Sequence, residues 1–223
     1  RTIFMFRVAI DGPGGAGKST IAKLVADKYG LDYVDTGAMY RAIALKAIRS
    51  DVAQDDDAAL AVMLGDTEID FDGTRILLDG EDISSLIRTQ EVSMAASNVS
   101  KVGCVREKVS GLCRTMAETK NLVMDGRDIG TNVIKDAEVK IFLTATAEVR
   151  AQRRYDQLVE AGKEADYDTI LEEIEARDYQ DTHRELNPLK QADDAVFLDT
   201  SFMTIEEVVE FISNIIDEKK NNE

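Results

Sequence analysis

Near the amino end, Gly12-Pro13-Gly14-Gly15-Ala16-Gly17-Lys18-Ser19 places a lysine and a hydroxyl directly behind a run of glycines. The spacing matches G-x-x-x-x-G-K-[ST], and its flanks fit as well, with an apolar run before it and a helical pattern after it. Glycine lets the chain bend so that successive backbone N–H groups face one concave space, where they can cradle phosphate oxygens. The helix that starts near Lys18 adds its positive end. Lys18 is expected to reach the β- and γ-phosphates, and Ser19 to ligate magnesium. Gly12 to Thr20 is therefore expected to hold a nucleoside triphosphate with Mg2+.

Three arginine-bearing clusters lie elsewhere. The first is "DTGAMYR", where Arg41 falls one turn into a helix behind a short strand, with Asp35 and Thr36 close by. Ligands of open α/β sheets sit at the carboxyl ends of strands, so Arg41 suits an acceptor phosphate. A surface arginine on an amphipathic helix is the plainer alternative. The second cluster is "DGRD", Asp125 to Asp128, after the apolar "NLVM". Asp125 suits magnesium, directly or through water, and the Arg127 fork suits a second phosphate. The alternative is an Asp–Arg pair that stiffens a loop.

The third cluster is a charged helical pair. Arg150, Arg153 and Arg154 share one helix face, as do Arg177, Asp181 and Arg184 on the next. These are either solvated faces or a mobile lid that closes arginines over the transferring group and excludes water. Six of the fourteen arginines fall between Arg127 and Arg184, which concentrates positive charge in a chain of net charge −16. The single histidine, His183, points away from the arginine face and is expected at the surface. Phosphoryl transfer rests on positioning and charge neutralisation, so no histidine base is needed.

The elements that must position these groups read as α/β. "MFRVAI", "DYVD", "NLVMD", "VKIFLT" and "AVFLD" are five short strands, mostly separated by helical patterns. A five-stranded, mainly parallel sheet flanked by helices follows. Ile21, Leu24 and Val25 mark the inner face of the helix from Lys18 to Tyr29, and Gly30 stops it. Residues 55–100 break the rhythm: "TEIDFDGTRILLDGEDIS" offers two alternating runs joined at Asp-Gly, a hairpin signal. The expected organisation is one domain over 1–223, with a small inserted subdomain at about 55–100 and a lid at about 150–188. Ile205, Val208, Val209, Ile212, Ile215 and Ile216 form the core stripe of a last helix.

Length and composition set the bounds. A chain of 223 residues, 44% hydrophobic and 31% charged, fits a soluble globular protein. No apolar run approaches the roughly 20 residues that cross a bilayer. The acidic balance disfavours nucleic acid and anionic membranes as partners. "RTIFMF" is too short for a signal peptide and short enough to include residues foreign to the natural chain. With only two cysteines, the cytoplasm is the expected location. Cys104 and Cys113 fall on opposite faces of one helix, as buried small hydrophobes rather than a disulfide.

The phosphate loop alone does not separate GTPases, motor ATPases and small-molecule kinases. No N-K-x-D base-reading segment occurs, and Asp125 is followed by glycine rather than a catalytic glutamate. Transfer to a small acceptor leads, another nucleotide or a shikimate-like metabolite being alternatives. An ATP-dependent binding module is a further one.

"IDGPGGAGKST", "DTGAMYRA", "DGRDIGT" and "RDYQDTHRELNPL", in this order and spacing, resemble the bacterial-type cytidylate kinases of the nucleoside monophosphate kinase superfamily, a P-loop NTPase fold. The resemblance runs from about Val8 to Ile216. It implies transfer of the γ-phosphoryl group of ATP to CMP or dCMP with magnesium, by a chain expected to be a monomer. It also implies an enlarged monophosphate-binding insert, which the 55–100 stretch would supply. Arg41 and Arg127 match the acceptor-phosphate ligands, and Thr36, close to Arg41, is expected among the CMP-binding residues. Ser97, Arg106, Asp128 and Arg184 match positions around the cytosine, and Arg177 and Asp181 those near the acceptor sugar and phosphate. Arg150, Arg153 and Arg154 match lid arginines near the donor, and Asp125 an acidic residue near magnesium and the phosphates. Thr182 stands where serine is more usual. Cytosine offers an amine donor where uracil offers an acceptor, so Asp128 would favour cytosine. An acceptor left facing an acceptor costs about 1–3 kcal/mol, roughly 5- to 150-fold.

Overall fold

The computed structural model describes residues 5–221. The expectation about the first residues of "RTIFMF" falls mostly outside them. In chain order the elements are β1 (Arg7–Asp11), α1 (Lys18–Tyr29), β2 (Asp32–Asp35), α2 (Thr36–Arg49), α3 (Asp57–Gly65), β3 (Ile69–Asp72), β4 (Arg75–Leu78), β5 (Glu81–Asp82), α4 (Gln90–Val99), α5 (Gly103–Thr119), β6 (Leu122–Gly126), β7 (Val139–Thr144), α6 (Ala147–Glu160), α7 (Tyr167–His183), β8 (Val196–Asp199) and α8 (Ile205–Asn221). A 3-10 turn at Leu86–Arg88 and a π-helical turn at Ile129–Val133 complete them.

Five strands form one sheet in the order β2-β6-β1-β7-β8, and β3-β4-β5 form a second. In the larger sheet β7 lies parallel to β1, with Val8 opposite Val139, and parallel to β8, with Ile141 opposite Val196. β6 is buried along its whole length, as an unalternating apolar strand requires. β8 is the edge and exposes Val196 and Phe197.

The chain packs as two compact units. The flanking unit comprises residues 6–31 and 123–221. Its core includes Ile10, Met124, Ile129, Ile141, Leu143, Ile212 and Ile216. Burying one such side chain stabilises by about 1.5–3 kcal/mol. On α1 the buried set is Ile21, Ala22, Val25 and Ala26, while Leu24 is largely exposed. Leu24 stands on the flank of the stripe set by Ile21 and Val25, so the expected inner face is narrower. The α8 stripe is likewise narrower: Val208, Ile212 and Ile216 are buried, but Ile205 is exposed in the first turn.

The central unit comprises residues 32–122 with Met5 and contains the expected hairpin. β3 and β4 pair antiparallel with Asp72 opposite Arg75, so Gly73 and Thr74 form the tight turn. A second turn at Asp79-Gly80 adds the short strand β5. Both turn residues have positive φ, 51° and 83°, the mark of a type I′ hairpin. α2 packs mainly through Ala38, Met39, Ala42 and Ile43, all buried. Cys113 is buried against Met39, Cys104 is half-buried, and neither forms a disulfide. Among the described residues no helix is long and apolar enough to cross a membrane.

Candidate active site

In the flanking unit the glycine-rich turn follows β1 and ends in α1. Glycine is required at its first position, because a Cβ on Gly12 would lie 1.8 Å from the Leu143 carbonyl oxygen on β7. Gly17, at φ 88°, opens α1 without a side-chain cap, whereas Asp35, Thr146 and Asp166 cap α2, α6 and α7 through Ala38, Val149 and Thr169 N–H groups. The N-cap of α1 therefore offers no side-chain acceptor to the first-turn N–H groups, an arrangement that suits an anion. Lys18 is buried and donates to the Pro13 carbonyl at 2.8 Å, folding back over the turn. Burial, then repulsion from Arg127, lowers its pKa below that of an ordinary lysine. Ser19 Oγ donates to Asp125 Oδ2 at 3.1 Å, so a hydroxyl from α1 and a carboxylate from β6 stand side by side.

Several arginines converge on the same turn. Arg127, from the turn after β6, brings Nη2 within 3.3 Å of where a Gly14 Cβ would stand, and Arg177 of α7 comes within 3.7 Å of it. Arg150 of α6 donates to the Gly14 carbonyl at 3.0 Å and is clamped by Asp178 of α7. The three α6 arginines, expected on one face, go to different places. Arg150 is buried, Arg153 donates to the Thr200 carbonyl at 2.9 Å, and Arg154 is exposed. Long side chains diverge from a shared backbone face, so Cβ spacing does not fix where guanidinium groups end.

Asp181 organises the second group. It is buried and accepts from Arg127 Nε at 2.8 Å, and Arg184 lies 3.8 Å from its other oxygen. Burial alone would raise the Asp181 pKa, but Arg127, Arg177 and Arg184 hold it below the usual carboxylate value. Burial likewise works against the Arg127 charge, yet Asp181 raises its pKa. Arg184 donates to the Asn187 carbonyl and lies 3.8 Å from the buried Asp128, which also accepts from Asn132 at 3.0 Å. His183 is exposed and stacks on Tyr179, as expected of a surface residue.

One residue at this site went unread in the sequence. Asp11, the last residue of β1, is buried and accepts from the Ile129 N–H with one oxygen and the Gly130 N–H with the other, both at 2.8 Å. Burial pushes its pKa up to about 6, while the two N–H groups pull the other way. Its only signal was a carboxylate at the end of a buried strand, directly before the glycines.

The central unit carries the other candidates. Asp35 caps α2 by accepting from Ala38 N–H at 2.8 Å, and its second oxygen pairs with Arg41 at 3.3 Å. Thr36 is buried at the start of the same helix. Arg106 is buried, donates to the Ser100 carbonyl at 2.9 Å and lies over the Tyr40 ring at 5.5 Å. The Ser97 carbonyl accepts from Ser100, which places Ser97 in the same turn at the end of α4.

A parallel sheet with a Gly-Lys-Ser turn between β1 and α1 defines a P-loop kinase fold. A crystal structure of shikimate kinase from Bacteroides thetaiotaomicron aligns with it at a TM-score of 0.50, with 14% identity over 96% of this chain and 99% of that one. The family model described as cytidylate kinase matches residues 8–218. Cytidylate kinase of Caldicellulosiruptor saccharolyticus is 49% identical over 97% of each chain. That of Lactobacillus johnsonii is 48% identical over 98% of this chain and 97% of its own. The chain belongs to the cytidylate kinase family.

Proposed function

We propose that the protein transfers the γ-phosphoryl group of ATP to CMP or dCMP, releasing ADP and CDP or dCDP for pyrimidine nucleotide metabolism. Family membership over nearly the whole chain supports the reaction class. The observation that supports the assignment to residues is the closeness of Arg127 to Gly14, its Nη2 lying 3.3 Å from where a Gly14 Cβ would stand, which puts an acceptor-phosphate candidate beside the donor loop.

In this reading the backbone from Gly12 to Thr20 holds the ATP phosphates. An incoming triphosphate favours the charged form of Lys18 and draws its ammonium from the Pro13 carbonyl onto phosphate oxygen. Arg127, with Arg41 and Thr36, holds the acceptor phosphate. Arg177 and Asp181 orient the acceptor sugar and phosphate, while Ser97, Arg106, Asp128 and Arg184 read cytosine. Arg150, Arg153 and Arg154 supply charge near the donor from a lid over about 150–188. An oxygen of the acceptor phosphate attacks the γ-phosphorus as the bond to the ADP oxygen breaks, and positioned cations offset the charge on the moving group.

Ser19 and Asp125 present hard oxygen ligands side by side, which fits magnesium; that ion commonly keeps waters and takes few protein ligands. Ser19 would hold it directly and Asp125 directly or through water. When bound, it would supply positive charge that offsets the negative charge of the phosphates. A cytoplasmic monomer without nucleic-acid or membrane partners, with 55–100 as a monophosphate-binding subdomain, completes the proposal.

A coupled ADP-release assay across CMP, dCMP, UMP, AMP and GMP tests it. CMP or dCMP should lead, with UMP slower by roughly 5- to 150-fold in kcat/KM. Equal rates with CMP and UMP would remove the Asp128 role. No rate with any monophosphate would sink the reaction itself.

A further inference from the structure

Donor loop and acceptor turn leave the ends of neighbouring strands, β1 and β6, and something must fix the distance between them. Ser19 and Asp125 link the two ends by a single bond, whereas Asp11 holds the acceptor turn by two. We propose that Asp11 is a positioning residue that sets the register of the acceptor turn against the donor loop, without touching either substrate. The inference rests on the phosphoryl-transfer reading above.

Asp11 immediately precedes Gly12, so its backbone is continuous with the donor loop. Its two oxygens grip consecutive backbone amides, Ile129 and Gly130, at the start of the π-helical turn that follows Arg127 and Asp128. Two bonds from one planar carboxylate restrain rotation as well as translation, which a single bond does not. The turn also packs closely against Lys140. A Cβ on Gly130 would lie 3.1 Å from Lys140 Cδ and 3.4 Å from Asp11 Oδ2, so the turn's backbone sits tightly against both side chains. Lys140, buried on β7, is itself fixed by Asp194 at 2.8 Å and by the Lys135 carbonyl. Burying a carboxylate in the core costs free energy, and a turn needed only to close the chain could be built with neutral partners. A fixed register matters for in-line transfer, where a displacement of about 1 Å can cost ~10²-fold in rate.

The test compares separate ligands with a tethered one, using Asp11→Asn, which sets an amide donor against one of the two N–H groups. The probes are ATP, CMP, and a bisubstrate in which adenosine and cytidine are joined through a polyphosphate. Binding of ATP alone and CMP alone should change less than about 3-fold, whereas bisubstrate affinity and kcat should fall about 10- to 100-fold. Asp11→Ser, which keeps one acceptor in a smaller volume, should show the same selective loss and stands in if the Asn variant folds poorly. Parallel weakening of all three ligands would overturn the proposal, leaving Asp11 a stabilising residue only. Unchanged bisubstrate affinity would overturn it too. The wild-type control separates the two readings: if it fails to turn over CMP, the reaction assignment fails, whatever Asp11 does.

Discussion

The donor loop after β1 and the acceptor turn after β6 serve, in the proposed reading, the same kind of ligand group. They are built in opposite ways. The first presents backbone N–H groups on glycines, with α1 left uncapped by any side chain. The second presents side chains, Arg127 and Asp128, whose aim depends on Asp181, Arg184 and Asp11. A backbone cradle is specified locally and fails when a Cβ is added. A side-chain cradle is specified by distant partners and fails when a charge is removed.

That contrast can be broken at several points. Lys18→Ala should lower kcat by about 10²- to 10³-fold, as for a lost transition-state donor, while ATP binding, held by the backbone, weakens far less. Abolished ATP binding in a calorimetric titration would show that the side chain does the holding. Arg127→Ala leaves Asp181 buried without its 2.8 Å partner, and should cost about 3 kcal/mol, since Arg184 remains at 3.8 Å. For a chain of this size that lowers Tm by roughly 6–12 °C, with a raised acceptor KM and lower kcat. Arg127→Ala/Asp181→Ala should recover most of the Tm but none of the activity; recovery of both would make the arginine purely structural.

Gly12→Ala meets backbone at Leu143 and should cost about 2–3 kcal/mol, read by thermal denaturation as a fall of roughly 5–10 °C. A Tm within a degree of wild type would refute the Cβ argument. The smallest effect is in pH dependence, where two buried carboxylates carry opposite signs. The depressed pKa of Asp181 means its contribution is present above the ordinary carboxylate value and lost as pH falls through the folded one. Asp11 is raised from 3.8 to about 6, so its contribution is present below 3.8 and lost as pH rises through about 6. The stability gap between wild type and Asp11→Asn, measured by denaturant titration, should shrink as pH rises across that window. A constant gap would remove Asp11 as the titrating group.

The same division explains what the sequence reveals. β2 and β7 start and end where the residue pattern places them, because apolar runs act over a few positions. The donor loop is legible for the same reason, since glycine spacing is a local demand. The Asp72-Gly73 turn is visible, but Asp79-Gly80 and the two-residue β5 are not, because a strand so short has no periodicity to detect. Arg127–Asp181 and Asp11–Gly130 join residues 54 and 119 apart, and no spacing rule pairs them. Helix-face counting fails for Arg150, Arg153 and Arg154 because guanidinium groups travel far from their Cβ atoms. It fails for Leu24 because one residue on the flank of a stripe is as apolar as those within it.

In the proposed reading one detail of the central unit bears on acceptor binding. Asp35 spends one oxygen on the α2 N-terminus and the other on Arg41, whose side chain is about one-third exposed. Such a pairing is worth little, about 0–1 kcal/mol, yet it already confines a long, flexible side chain. A phosphate taken by Arg41 would thus bind by exchange: the guanidinium leaves one anion for another, the helix keeps its cap, and much of the rotamer entropy has been lost beforehand. In the proposed reading the carboxylate works as a placeholder, holding that arginine in the free protein where a phosphate would later take it.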